Sequence, residues 1–152
     1  DGTIKGVDFR LRYTRGDHLE ATFTYSINDA RETDGTRIEY VPVNVCGLKL
    51  RFSHSITSHL KFGITLAGKR TSSVGCGRQL TCTPDFTSCE CLENGHLPGY
   101  SSAIAYAFLG IDRARIFVRI VNLLNDEIYS AWGMPALPER HYEIGFHWEL
   151  ID

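Results

Sequence analysis

The constraint that dominates this chain is an alternation of period two, repeated in segment after segment. Val7-Asp8-Phe9-Arg10-Leu11-Arg12-Tyr13 sets an apolar residue at every second position, with charges between. Leu19 to Ile27 repeats the pattern with milder polar residues, and Leu48 to Phe52 and Leu60 to Leu66 continue it. Tyr100 to Phe108 alternates large residues (Tyr100, Ile104, Tyr106, Phe108) with Ser101, Ala103, Ala105 and Ala107. Arg113 to Val121 and Tyr142 to Leu150 complete the series. Successive side chains of a strand point to opposite faces, so each segment reads as a strand with one apolar and one polar side. No helical stripe of useful length competes. The expected fold is all-β, with about seven antiparallel strands.

Many of these strands reach the roughly nine to eleven residues that a tilted strand needs to cross a bilayer. Soluble strands more often run to about five or six. The connections carry a second pattern. Thr14 to Asp17, His54 to Ser58 and Gly110 to Asp112 are short, whereas 29–39, 71–97 and 123–138 are long. Short and long alternate strictly. A transmembrane β-barrel sorts its connections in this way, with tight turns on the periplasmic rim and longer loops outside. The expectation is therefore an antiparallel transmembrane barrel portion in a bacterial outer membrane, with the three long loops extracellular. The first and last strands then run from the outside to the periplasm. Tyr13, Phe52, Phe62, Phe108 and Trp148 fall near the periplasmic strand ends in the outward phase, as an aromatic girdle would.

Seven strands cannot close antiparallel on themselves, because the first and last run the same way. Single-chain bacterial barrels have an even count, and an open edge in lipid leaves backbone groups unsatisfied. The remaining strands are expected on further polypeptide. Composition is consistent with this: 43% hydrophobic and 22% charged residues with a net charge of −2 fit neither a disordered chain nor a basic nucleic-acid binder. No apolar run is long enough for a transmembrane helix. The opening Asp1-Gly2-Thr3 reads as a mature or internal start, and five cysteines point to an oxidising compartment.

The last third carries Ile116, Val118 and Ile120 leading into Asn122-Leu123-Leu124-Asn125, then Tyr129, then Leu137-Pro138-Glu139-Arg140 before a closing strand. This resembles the end of a TonB-dependent receptor, whose last strands run into Asn-Leu-Phe-Asp, a Tyr, a loop and Pro-Gly-Arg. Leu124, Asn125 and Glu139 depart from that pattern. Upstream, Gly6-Val7-Asp8, Pro42 and Leu97-Pro98-Gly99-Tyr100 sit where the family places similar residues, so the resemblance spans nearly the whole chain. Glu143, Gly145, Trp148 and Leu150 resemble the C-terminal assembly signal of outer-membrane barrels, which Ile151 and Asp152 overrun. The resemblance implies that 1–152 is the C-terminal segment of a 22-stranded barrel, with the plug domain absent. It implies uptake of a scarce nutrient such as a siderophore, a metal chelate or a saccharide. The implied partners are the polypeptide carrying the rest of the barrel and plug, TonB acting through that plug, a small-molecule ligand and outer-membrane lipid.

The polar phase collects Asp8, Arg10, Arg12, Glu20, Lys49, Arg51, Lys61, Lys69, Arg119, His141, Glu143 and His147. In a barrel these face the lumen, either as a polar translocation path or as ion pairs that hold a plug. Cys76, Cys82, Cys89 and Cys91 are spaced C-x6-C-x6-C-x-C, which lacks the paired spacing of zinc sites. Two disulfides bracing an extracellular loop are expected instead, with Cys76 and Cys82 each bridged to one of the close pair. Cys46 falls in the outward phase. Tyr129, Trp132 and Met134 are loop residues that could contact a ligand or a neighbouring loop. Arg15-Gly16-Asp17 matches an integrin-binding tripeptide but suits a tight turn. No nucleophile–base pair, phosphate loop or carboxylate pair points to catalysis, and no cofactor or metal is called for. Two other readings remain: a small stand-alone barrel acting as an adhesin or structural protein, and a secreted, disulfide-braced β-sandwich that buries Tyr106, Phe108, Phe146 and Trp148.

Overall fold

A computed structural model describes residues 2–39, 41–75, 96–126 and 139–148. Seven long strands form a single antiparallel sheet: β1 (Gly2–Arg15), β2 (Leu19–Glu32), β3 (Asn44–Ser55), β4 (Leu60–Thr71), β7 (Tyr100–Ile111), β8 (Ala114–Val121) and β9 (His141–Trp148). A small hairpin, β5 (Val74–Gly75) with β6 (His96–Leu97), interrupts the order between β4 and β7. Each long strand pairs with its successor, giving the order β1-β2-β3-β4-β7-β8-β9. No helix appears among the described residues.

The strands extend beyond the alternating segments that announce them. β1 and β2 have 14 residues each, and β3, β4 and β7 have 12. The first long connection consequently narrows from 29–39 to 33–43, because paired backbone continues past the last apolar residue of β2. β3 starts two residues after Pro42, which lacks the N–H a ladder needs. In the connection, Asp34 accepts hydrogen bonds from the hydroxyl and the backbone N–H of Thr36. Those bonds hold its carboxyl below the usual value.

The short turns are tied to one another. Gly16 takes a left-handed φ of +54°, which glycine tolerates without cost, inside Arg15-Gly16-Asp17. Next to it, Ser53 donates from its backbone N–H to the His18 carbonyl at 2.8 Å and from its hydroxyl to the Asp17 carbonyl at 3.1 Å. In the second turn the Thr57 hydroxyl accepts from the N–H groups of His59 and Leu60. The third turn carries Asp112 at φ +50°; its N–H donates to the His59 carbonyl, and its carboxylate meets the His59 ring.

Register fixes which side chains share a face. The row of paired residues beginning at Arg15 runs Arg15–Leu19–Phe52–Ile64–Ala107–Val118–Ile144. Arg15 ends its strand, whereas Ile144 lies four residues above Trp148, so the line of short turns is inclined to the hydrogen-bond rows. Such a stagger is what tilts strands in a barrel.

The sheet buries almost nothing by itself. Ala30 is the only fully buried apolar residue among those described, while Val7, Phe9, Leu11, Leu50, Ile64, Phe146 and Ile144 are exposed, the last by 79%.

Candidate functional site: two chemically opposite faces

One face is apolar from β1 to β9. It carries Val7, Phe9, Leu11 and Tyr13; Leu48, Leu50 and Phe52; Phe62, Ile64 and Leu66; Ile116, Val118 and Ile120; then Tyr142, Ile144, Phe146 and Trp148. Charges on this face occur only towards strand ends: Lys5, Asp29, Arg31 and Arg70 towards the long connections, and Arg15 at the first short turn. Between them each strand presents about four or five apolar positions, which cover about 27–34 Å of strand. Tilted by about 40°, that becomes a band of about 20–26 Å, close to the apolar belt of a transmembrane barrel. Cys46 stands in this face opposite Tyr25 and has a free thiol.

The other face holds all twelve of the charged and histidine side chains singled out from the sequence. Arg12 pairs with Glu20 at 3.3 Å, and Asp8 accepts from the Ser26 hydroxyl. Glu143 joins Arg119 and His141, with Arg119 donating at 2.6–2.7 Å. Arg10, Lys49, Arg51, Lys61 and Lys69 form no ion pair among the described residues. This face is therefore basic within a chain whose net charge is −2.

One expectation fails on β7. Tyr106 and Phe108 belong to the polar face, not the apolar one, because Gly63 pairs with Phe108 and Thr65 with Tyr106. Phe108 therefore does not join the girdle. Tyr13, Phe52, Phe62 and Trp148 do share the apolar face, near the short-turn ends. The physical reason is packing. Phe108 lies over Gly63 and Phe117 over Gly145, so that a Cβ at either glycine would collide with the ring. Tyr106 links the two, with ring centroids 6.0 Å from Phe108 and 5.6 Å from Phe117. Arg115 caps Phe108, its guanidinium 4.6 Å from the ring centroid. The alanines at 103, 105 and 107 take the apolar face. Arg115 was not among the twelve residues, although it shares the parity of Arg119; the aromatic cluster had no charge signal to reveal it.

Asn122 to Asp126 form a compact knot at the end of β8. Asn122 and Asn125 adopt φ of +52° and +56°, conformations that asparagine tolerates better than most residues. Asp126 accepts from the Ser101 N–H at 2.7 Å, and Asn125 accepts from the Arg140 N–H at 2.9 Å, so the knot ties the start of β7 to the approach to β9. Asp126→Ala is expected to cost about 1 kcal/mol locally. Amide exchange at Ser101 should then quicken by about fivefold, while that of β2 stays unchanged.

The four clustered cysteines Cys76, Cys82, Cys89 and Cys91, and the loop residues Tyr129, Trp132 and Met134, lie outside the described residues. Among the described residues there is no group of three or more His, Cys, Asp or Glu side chains placed to hold a metal ion. No helix among them is long and apolar enough to cross a membrane. Comparison of the chain with protein-family models, curated proteins and solved structures gave no match.

Proposed function

We propose that this chain is part of the wall of an outer-membrane β-barrel of the TonB-dependent receptor kind, in which it serves the uptake of a scarce nutrient. The observation that carries this reading is the segregation of charge: an apolar face free of charge across its middle, backed by a basic polar face. A charged group in the middle of a lipid-facing strand costs about 2–4 kcal/mol, so a lipid-covered sheet keeps its charges on the other side or at the ends. The sorted connections and the stagger of the rows support the same assignment. The edges of β1 and β9, without a partner strand among the described residues, call for further strands in this reading, since the bilayer core supplies no hydrogen-bond partner for an open edge.

In this reading the apolar face meets lipid and the short turns face the periplasm. The basic face lines the lumen, where Lys49, Arg51 and Lys69, without an ion pair among the described residues, stand towards an acidic surface of a plug or an anionic ligand. The resemblance of the last third, from Ile116 to Arg140, supports the receptor assignment over a passive barrel.

The test is the native mass and composition of the particle that carries the chain, extracted from membranes in mild detergent. A particle several times heavier than 17.1 kDa, with additional strand-forming polypeptide, is the expected result. A detergent-dependent monomer would replace this reading with a small stand-alone barrel. A monomer that stays dispersed without detergent would replace it with a sandwich whose apolar face is covered by protein.

A further inference from the structure

At the short-turn end of the polar face, one row of paired positions runs Ser55–Lys61–Gly110–Arg115–His147. Lys61 and Arg115 flank a glycine, so their backbones stand about 9–10 Å apart, two inter-strand spacings. Between them lies a cleft of about 190 Å³. Among the described residues the one carboxylate lining it, Asp112, is already engaged by the His59 ring. Neither Lys61 nor Arg115 has an ion pair among the described residues.

Gly110 is the telling residue. Gly63 and Gly145 are glycines because an aromatic ring occupies the space a side chain would need. At Gly110 an added Cβ would meet only the carbonyl oxygens of Lys61 and Ala114, at ordinary contact distances of 3.6 and 3.8 Å. Its φ is not in the left-handed region either. Neither packing nor backbone geometry demands a glycine here, yet its absence of a side chain is what leaves the cleft open between two cations. Arg115 is also held in place, by stacking on Phe108.

We infer that the cleft over Gly110 binds a tetrahedral oxyanion, a phosphate group gripped between Lys61 and Arg115. A carboxylate would be satisfied by the planar fork of an arginine alone. Here the donors that line the cleft come from three strands, with Ser55 on β3, Lys61 on β4 and Arg115 on β8, so no single planar fork supplies them. That suits an anion with oxygens in three dimensions. The inference needs only the sheet and its register, and stands whether or not the sheet is part of a barrel.

The experiment is a calorimetric titration of the full protein, with whatever polypeptide accompanies it, at low salt. Two probes are used: inorganic phosphate, and vesicles containing a diacylglycerol phosphate in a neutral lipid. Saturable binding is expected with at least one of them. Lys61→Gln and Arg115→Gln should each weaken it by about tenfold or more. Gly110→Val should abolish it with both cations retained and an unchanged unfolding midpoint. Saturation by inorganic phosphate identifies a free oxyanion as the ligand; saturation only by the vesicles, lost in Gly110→Val, identifies a lipid headgroup. Absence of saturable binding by both probes, or binding indifferent to Gly110→Val, overturns the inference.

Discussion

If the apolar face meets lipid as proposed, Ile64→Arg is expected to destabilise the protein in lipid vesicles by about 2–4 kcal/mol. Ile64 lies in the middle of the apolar face, in the row Phe52–Ile64–Ala107–Val118, and no charge of that face stands near it. An arginine there must either leave its guanidinium in hydrocarbon or bend along the sheet towards a headgroup. Thr65→Glu is the control. One position further along, it enters the polar face directly opposite Arg51 and should change stability by no more than about 0.5 kcal/mol. The measurement is reversible denaturant unfolding of the assembled protein from lipid vesicles. Equal effects of the two substitutions would remove the lipid-facing assignment. A penalty at Ile64 that persists without lipid or detergent would point to protein cover instead.

Gly145→Val is expected to cost about 1–3 kcal/mol, by overpacking rather than by desolvation. All three atoms nearest to a side chain at Gly145 belong to the Phe117 ring. The ring cannot step aside freely, since Tyr106 packs beside it with a centroid separation of 5.6 Å. Phe117→Ala alone should also destabilise, by removing the ring from its notch. The double variant is the informative one. With the ring gone, valine fits, and the two changes should be less costly together than their sum by about 0.5–3 kcal/mol. Strict additivity would mean that ring and glycine do not share one space. Gly63 is a less clean partner for this cycle, because an added Cβ there also approaches the Phe52 carbonyl oxygen at 3.0 Å.

These two positions also mark where the sequence was readable and where it was not. The existence of the seven long strands followed from parity alone, because each of the alternating segments between Val7 and Trp148 repeats with period two. On β1, β3, β4 and β9 parity also gave the face, since charges such as Arg12, Arg51, Lys61 and Glu143 alternate with large apolar residues. β7 offers no such contrast. Neither phase of Tyr100 to Phe108 carries a charge, and the larger side chains suggested the wrong one. What decided the matter was the glycine on the neighbouring strand, a relation between Gly63 and Phe108 that lies 45 residues apart in the chain. The strand ends were illegible for a different reason. Backbone pairing carries β2 through Asp29-Ala30-Arg31-Glu32, where no apolar alternation remains to announce it. The basic excess of the polar face was legible residue by residue. The cleft over Gly110 was not, because it depends on which residues register places side by side.

Among the described residues the edge strands β1 and β9 run in the same direction, so this sheet cannot close on itself with an antiparallel seam. Two copies related by a two-fold axis could join β1 to β1 and β9 to β9 antiparallel, but their short turns would then emerge on opposite sides. Copies arranged in a ring would keep the turns together, at the cost of a parallel seam between each β9 and the next β1. A piece that closes such a sheet with antiparallel seams on both sides and all short turns on one rim therefore cannot be another copy of this one. It must contribute an odd number of strands, beginning and ending against the direction of β1. The sheet thus behaves as a directional part with two like-polarity ends, selecting its complement by strand parity before any side chain is consulted.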